Sequence, residues 1–177
     1  MNLTVREIEV KDIDLLLDYW YNSSDEHFLK MGADSSKLPS RNDFYNALVE
    51  QIKSPFTKKK SYAVIWEEDG VPIGHSNVNN IDFGKEAFMH LHVWNIGRRK
   101  KGFGTTLVQK SLPFYFEKLQ LETLYCQPYA FNPAPNKTLE NVGFEFVKKY
   151  TTIPGSINFE QEVNLWKMSR ERFLSKA

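Results

Sequence analysis

Apolar and polar residues in the first third of the chain follow two different periods. Residues 3–8 alternate as a strand does, and Asp12 then offers an N-cap to a helix whose apolar positions, between residues 13 and 20, share one face. Residues 22–40 mix small, polar and scattered apolar types, which indicates a loop with a short helix. A second helical period covers residues 42–52. The chain is therefore predicted to open with a strand that is followed by helices.

An Asp-Gly pair marks a hairpin in the middle of the chain. Asp69 and Gly70 stand between apolar runs at residues 62–66 and 71–78, and such a pair favours the positive φ angles of a tight turn. Residues 87–94 then alternate as a third strand with two distinct faces. One face carries Met89, Leu91 and Val93, and the other carries Phe88, His90, His92 and Trp94.

The last third of the chain combines helical and extended patterns. Residues 105–119 repeat apolar positions at helical spacing, although Pro113 should kink that helix. The remaining predicted elements are strands at residues 123–129, 144–152 and 162–168 and a short helix at residues 133–142 that is closed by Gly143. The whole chain, residues 1–177, is thus predicted to be a single α/β (α+β) domain with a mixed sheet.

Composition narrows the class of protein. The net charge is +1, from 23 basic and 22 acidic residues, so no overall field favours nucleic acid or anionic lipid as a partner. The single cysteine, Cys126, excludes an internal disulfide, and no secretion signal is recognisable, so the protein is expected to be cytoplasmic. No apolar run approaches the roughly 20 residues that cross a bilayer, so no membrane span is expected.

The loop before the helix at residues 105–119 carries the most specific chemistry. Residues 98–106 read Arg-Arg-Lys-Lys-Gly-Phe-Gly-Thr-Thr. Gly102 and Gly104 permit a tight turn and close approach of a ligand, while the first N–H groups of the following helix point outward. Together with the helix dipole and four cations, these groups favour a bound pyrophosphate. The P-loop pattern is absent, and the dinucleotide pattern fails because Leu107 stands where it needs glycine.

Two motifs in the correct order resemble the GNAT superfamily. Arg99, Gly102 and Gly104 match its motif A, Arg/Gln-x-x-Gly-x-Gly/Ala, between a predicted strand and a predicted helix. Further along the chain, residues 132–144 resemble the family segment Asn-x-x-Ser-x-x-x-Leu/Tyr-Glu-Lys-x-Gly-Phe without a gap, although Pro135 stands in place of its serine. The resemblance extends over residues 3–168.

The resemblance implies an N-acetyltransferase that uses acetyl-CoA as cosubstrate to modify a primary amine of a protein N-terminus or a small molecule. It implies the GNAT fold, a mixed, mostly antiparallel central sheet of six or seven strands flanked by about four helices. Leu139 and the Asn-Pro-Ala run at residues 132–134 make the chain similar to the branch that contains the ribosomal-protein N-terminal acetyltransferases. The CoA-binding residues that it implies are Arg99, Lys100, Lys101, Gly102, Phe103, Gly104, Thr105, Asn132, Asn136 and Lys137.

The reaction implied by this resemblance is direct attack of a neutral amine on the thioester in a ternary complex. The strand before motif A is expected to be splayed from its neighbour. A backbone N–H at Val93, Trp94 or Asn95 would then polarise the thioester carbonyl. His90 and His92 are the candidate general bases, because an unperturbed imidazole titrates close to neutrality.

Tyr129 is the candidate acid for the leaving thiolate, because Leu139 occupies the position of the family's usual tyrosine. Cys126 lacks a partner placed to activate it and is expected to be a buried thiol rather than a nucleophile. The two strand histidines have no evident third ligand, so no metal is expected. The expected acidic rim for a cationic amine consists of Asp25, Glu26 and Asp82.

Two other interpretations remain open from the sequence. The basic segments at residues 58–60 and 98–101 would suit a nucleic-acid-binding domain, although the balanced net charge argues for no nucleic-acid partner. A domain of the same fold without catalysis would be an acyl-CoA-binding regulatory module. Salt-dependent binding to DNA or RNA would identify the first, and cofactor binding without amine-dependent thiol release the second. The sequence also leaves the choice between monomer and homodimer open.

Overall fold

A seven-stranded sheet forms the centre of the molecule. The computed structural model describes residues 1–95, 97 and 102–177. The strands are β1 (Leu3–Glu7), β2 (Tyr62–Glu68), β3 (Val71–Asp82), β4 (Glu86–Val93), β5 (Thr123–Cys126), β6 (Glu145–Thr152) and β7 (Gln161–Ser169). Their spatial order is β1-β2-β3-β4-β5-β7-β6, and every neighbouring pair is antiparallel except β4 and β5. The predicted mixed, mostly antiparallel sheet is confirmed.

Helices pack against both faces of this sheet. They are α1 (Ile13–Asn22), α2 (Asp25–Lys30), α3 (Arg41–Lys53), α4 (Phe103–Pro113), α5 (Pro133–Val142) and α6 (Arg170–Lys176). Strand β2 is buried on both faces: Val64 and Trp66 share a core with α4, while Ala63 and Ile65 share a second core with α1. The prediction of about four helices did not include α6, which follows β7 directly and is capped by Ser169.

The hairpin between β2 and β3 sets the registers of the central strands. Asp69 and Gly70 adopt φ angles of 50° and 79°, as the predicted tight turn requires. Along the next pair of strands, β3 and β4, His75 lies opposite His92 and Asn77 lies opposite His90. The side of β4 that was predicted to carry histidines therefore faces the same layer as α1 and α3.

Strand β5 is shorter than predicted, and this opens the sheet. The sequence indicated a strand over residues 123–129, but β5 ends at Cys126, where its pairing with Met89 of β4 also ends. Pro128 has no N–H to extend a ladder, and Tyr129 forms an isolated bridge with Val163 instead. Strand β4 continues to Val93, so β4 and β5 separate beyond the Met89–Cys126 pair.

Helix α4 continues into a π-helical segment, Phe114–Lys118, immediately after Pro113. Proline has no N–H for the preceding turn, which accounts for the break in the regular helix where the sequence predicted a kink. The Tyr115 hydroxyl donates to Ser76 at 2.8 Å, and the Ser76 hydroxyl donates to the His90 carbonyl at 3.0 Å. This buried chain fixes the π-helical segment to the middle of β4.

Asp12 stands at the N-cap of α1, but its side chain makes no capping bond to that helix. The carboxylate accepts hydrogen bonds from the Arg6 guanidinium at 2.7 and 2.9 Å and from the Glu9 N–H at 2.8 Å. Burial alone would raise the pKa of Asp12, but the bonds from Arg6 and Glu9 hold it below its ordinary value. The contact joins β1 to α1, the helix that carries Tyr19 and Trp20.

We expect Asp12→Ala to lower the free energy of unfolding at pH 7 by about 2 kcal/mol. Breaking a fully buried ion pair costs roughly 3–5 kcal/mol, and the expected loss is smaller here because Arg6 is partly exposed. The matched control is Asp14→Ala, whose exposed carboxylate pairs with Arg41 at 3.3 Å and should contribute less than about 0.5 kcal/mol. Urea denaturation measures both values.

The same pair of variants has a predicted pH dependence. Because the pKa of Asp12 is lower in the folded state, its stabilisation is present above the unfolded value of about 3.9 and is lost as the pH falls through the folded value. The difference in stability between wild type and Asp12→Ala should therefore narrow as the pH falls below about 3.9. Equal losses for the two variants at pH 7 would contradict this account of Asp12.

Candidate functional site

A cavity of about 360 Å³ lies on the histidine-bearing face of the sheet, a volume that suits a small ligand. Its floor is formed by His75 and Asn77 of β3 and by His90 and His92 of β4. One wall comes from α1, α3 and the segment between them, and the opposite wall comes from residues 127–132 and 154–158. Met89, Leu91 and Cys126 line it where β4 and β5 separate. The gap in the sheet thus opens into the cavity.

His75 lies on the floor of the cavity and was not predicted from the sequence as a site residue. Its ring stacks on that of His92 with centroids 4.6 Å apart, because the β3–β4 register places the two residues opposite each other. Nδ1 of His75 accepts a hydrogen bond from the Trp94 indole N–H at 2.8 Å. Burial, with a smaller effect of His90, lowers the pKa of His75 to about 3. His75 is therefore neutral near pH 7.

His90 is held by an amide. Its Nε2 lies 3.1 Å from Oδ1 of Asn79, so a neutral His90 that donates from Nε2 keeps Nδ1 as an acceptor. Burial lowers the pKa of His90 to about 4. An amide oxygen does not pass a proton onward, so the hydrogen-bonded path from His90 ends at Asn79.

His92 belongs to a chain of three side chains. Its Nδ1 lies 3.2 Å from the Tyr19 hydroxyl, and that hydroxyl lies 2.9 Å from Nε2 of His27. His27 is partly exposed on α2, and the edge of the Trp20 ring packs on His92 with centroids 4.8 Å apart. Sequence analysis missed Tyr19 and His27. Their signal was weak, because α1 shows only an apolar face and α2 is a single short helix.

The backbone N–H groups of alternate residues in β4 point toward the gap. Trp94 N–H donates to the Ile73 carbonyl of β3 at 2.9 Å, so Trp94 is not the carbonyl-polarising donor that the sequence suggested. Since bonding directions alternate along a strand, the N–H groups of Leu91 and Val93 point to the other side, toward β5. Asn95 lies exposed beyond the strand. Of these residues, Leu91 lines the cavity and was not selected from the sequence.

Helix α4 is the next α-helix along the chain after β4. Gly102 stands at its N-cap with φ 73°, no side chain caps the helix, and its first turn contains no acidic residue. This backbone suits an anion. The Phe103 side chain is buried in the core and Thr105 is half-buried, so contacts here would come chiefly from the backbone. A Cβ on Gly104 would lie 3.2 Å from Thr138 Oγ1, so this glycine also permits close packing of α4 on α5.

The other predicted CoA-binding residues divide into two groups. Arg99, Lys100 and Lys101 lie outside the described residues. Asn132 stands at the N-cap of α5 but makes no side-chain capping bond, and Lys137 pairs with Glu140 at 2.8 Å on the surface.

Asn136 has a structural function at the start of α5. Its amide donates to the carbonyls of Tyr129 and Asn132 at 3.2 and 2.8 Å. Its Oδ1 accepts from the side chains of Asn164 and Trp166, each at 2.9 Å. These bonds hold the segment after β5 against β7. The hydrogen-bonding groups of the Asn136 side chain are thus engaged within the protein.

Cys126 and Tyr129 both line the cavity on the β5 side. The Cys126 thiol donates to the Met89 carbonyl at 3.1 Å, and burial raises its pKa to about 12, so it is protonated at neutral pH. The Tyr129 ring packs edge-on against Phe131 and Phe159. Cys126 is therefore unsuited to act as a nucleophile, as expected from the sequence.

The predicted acidic rim does not form at this cavity. Asp25 accepts a hydrogen bond from Ser35, and neither Asp25 nor the two other predicted carboxylates line the cavity. Glu26 pairs with Lys30, and Asp82 pairs with Lys85. Within residues 1–95, 97 and 102–177, no group of three or more His, Cys, Asp or Glu side chains could hold a metal ion. In the same residues, no helix is long and apolar enough to span a bilayer.

Comparison with known proteins identifies relatives of this fold. The sequence model described as acetyltransferase (GNAT) domain matches residues 2–145. A spermidine N-acetyltransferase from Vibrio cholerae, solved with CoA and spermine, is similar with a TM-score of 0.78, 18% identity, and coverage of 97% of this chain and 98% of that one. The aminoglycoside acetyltransferase AAC(6')-Ib, solved with coenzyme A, has a TM-score of 0.71, 19% identity and 98% coverage of both chains.

Comparison with curated protein sequences gives no significant match. The two solved structures are each less than 20% identical to this chain, so they support the fold alone. None of these findings supports the similarity to the ribosomal-protein branch that residues 132–139 suggested.

We expect Cys126 to resist alkylation in the folded protein. With a pKa of about 12 in place of the ordinary 9.0, the folded chain at pH 8 has about a thousandth of the thiolate that the unfolded chain has. Iodoacetamide should therefore react with the folded protein about 10³-fold more slowly than with the urea-unfolded chain. Because Cys126 is the single cysteine, intact-mass measurement reads this site alone. Labelling of the folded protein at the unfolded rate would show that the thiol is neither buried nor protonated.

Proposed function

The chain belongs to the GNAT acetyltransferase family, and on this premise we propose that it transfers the acetyl group of acetyl-CoA to the primary amine of a small molecule. Family membership supports acetyl-CoA as cosubstrate. The observation that carries the proposal is the gap between β4 and β5, which opens into the histidine-lined cavity. The volume of about 360 Å³ between the two walls favours a small acceptor over a protein N-terminus. Residues 1–177 together form the proposed catalytic domain.

The residues around the gap fit the cosubstrate. When bound, acetyl-CoA supplies an activated acyl carbonyl. The backbone at residues 102–105 would hold its diphosphate, helped by the cationic side chains of Arg99, Lys100 and Lys101. The Leu91 N–H, directed to the gap, would donate to the acyl oxygen and stabilise the negative charge that develops there.

We assign the general base to His92 rather than to His90. An amine must lose a proton before it can attack, and that proton then has to reach the solvent. His92 leads through Tyr19 to the partly exposed His27, whereas the path from His90 ends at Asn79. Tyr19 and His27 would relay the proton from His92 without touching the amine themselves.

Tyr129 would protonate the departing thiolate. Its ring lines the cavity on the β5 side of the gap, opposite the proposed oxyanion donor on β4. The family's usual tyrosine position is occupied by Leu139, which is fully buried and has no proton to give. Tyr129 is thus the candidate donor that the described cavity provides on this side.

Gly102→Ala should weaken acetyl-CoA binding about tenfold, because the added methyl enters the open space through which the diphosphate would approach the backbone. Gly84→Ala is the matched control, since Gly84 has φ 79° and the same open surroundings in the β3–β4 turn. Both variants should show the same modest destabilisation from positive φ.

Isothermal calorimetry with acetyl-CoA measures the two affinities. Gly102 is preferable to Gly104 for this test, because a side chain at Gly104 would press on Thr138 and disturb the packing of α4 on α5. Wild-type affinity in Gly102→Ala would place the diphosphate elsewhere.

His92→Gln should lower kcat for amine-dependent thiol release by about 10² or more, while His90→Gln should lower it by less than about tenfold. Tyr19→Phe should fall between the two, because it interrupts the relay but leaves the base in place. Tyr45→Phe on α3 is the control and should retain wild-type turnover. KM for acetyl-CoA should stay unchanged in all four variants.

The pH profile separates a base from a structural residue. Protonation of the imidazole removes its lone pair, so wild-type kcat should fall as the solution becomes acidic, and this dependence should be lost in His92→Gln. A full wild-type rate and pH profile in His92→Gln would refute the assignment.

A further inference from the structure

We infer that the acceptor is a monoamine with an aromatic or bulky apolar body, and that polyamines and aminoglycosides are poor substrates. The inference rests on the proposed function, because it concerns the amine that enters the same cavity. It follows from what the cavity wall contains. Among the residues that the structure describes, those lining the cavity include no aspartate, glutamate, lysine or arginine.

An uncharged wall discriminates strongly against a second cationic centre. A monoamine becomes neutral once it has given up one proton, and it then matches the wall. A polyamine would carry at least one more ammonium group into the cavity, where no described carboxylate is placed to pair with it. Burying such a charge without a partner is costly, so polycations should bind weakly.

The wall formed by α1, α3 and the segment between them favours an apolar body. It presents Trp20, Met31, Phe44 and Leu48, and Ile157 lies on the opposite side. Trp20 and Phe44 offer ring surfaces suited to contact with an aromatic or branched group. Asn77 on the floor supplies an amide, which orients a ligand without requiring charge.

The test compares four amines at saturating acetyl-CoA: 2-phenylethylamine, tryptamine, spermidine and kanamycin. We expect kcat/KM for the two arylalkylamines to exceed that for the two polycations by about 100-fold, as for a buried charge left unpaired. Calorimetry of each amine with the CoA-loaded protein should give the same order of affinities.

The outcomes separate the two proposals. Equal or better turnover or binding of spermidine or kanamycin would overturn the inference while leaving acetyl transfer intact. Binding of none of the four amines would also overturn it. Acetyl-CoA that neither binds nor releases thiol with any amine would refute the proposed function instead.

A designed carboxylate tests the electrostatic reason. Asn77→Asp changes the charge of the floor with little change of shape and should raise kcat/KM for spermidine at least tenfold relative to 2-phenylethylamine. Asn46→Asp, on the exposed side of α3, is the matched control and should leave the ratio unchanged. An unchanged ratio in Asn77→Asp would refute the claim that missing negative charge disfavours polycations.

The apolar wall has its own test. Phe44→Ala should lower kcat/KM for 2-phenylethylamine about tenfold, as for loss of a ring contact, and should leave KM for acetyl-CoA unchanged. Undiminished turnover of the arylalkylamine in this variant would show that the wall does not contact the acceptor.

Discussion

The separation of β4 from β5 after the Met89–Cys126 pair is the constraint on which the rest of the site depends. Among the described strands these two form the one parallel pair, and beyond Met89 and Cys126 each is held by its outer neighbour instead of by the other. On the β4 side, Trp94 bonds to Ile73 and the Ser76 hydroxyl bonds to the His90 carbonyl. On the β5 side, the segment that follows the strand is tied to β7 through Asn136. Because both strands are anchored away from the gap, a backbone edge and a cavity meet there in the folded chain.

Neutral groups surround this gap. Their lack of charge bears on both the proposed acetyl transfer and the proposed choice of acceptor amine. Burial lowers the pKa values of His75 and His90 well below 7 and raises that of Cys126 to about 12, so none of the three is charged at neutral pH. An amine in such surroundings is favoured once it has lost its proton. Under the proposed function, the chain from His92 through Tyr19 to His27 would give that proton a route to the surface. The same surroundings would favour a reactive amine and disfavour a polycation.

Much of this fold could be predicted from local pattern, whereas the site depends on long-range register. The Asp69–Gly70 turn, the two faces of β4 and the helix that ends at Gly143 are each encoded within a few residues, and the structure confirms them. His75, Tyr19 and His27 join the site only because distant strands and helices pair in one register. The end of β5 at Cys126 could not be predicted either, because it coincides with the point where β5 stops pairing with β4. The predicted acidic rim was wrong for the same reason. Asp25, Glu26 and Asp82 were chosen by their positions along the sequence, and none of them lines the cavity.

A crystal structure of the protein with CoA would show where the cofactor binds. We expect its pantetheine arm to lie between β4 and β5, with its sulfur beside the Leu91 backbone and open to the histidine-lined cavity. An arm bound on another surface, or strands β4 and β5 paired continuously beyond Met89 and Cys126, would contradict this expectation.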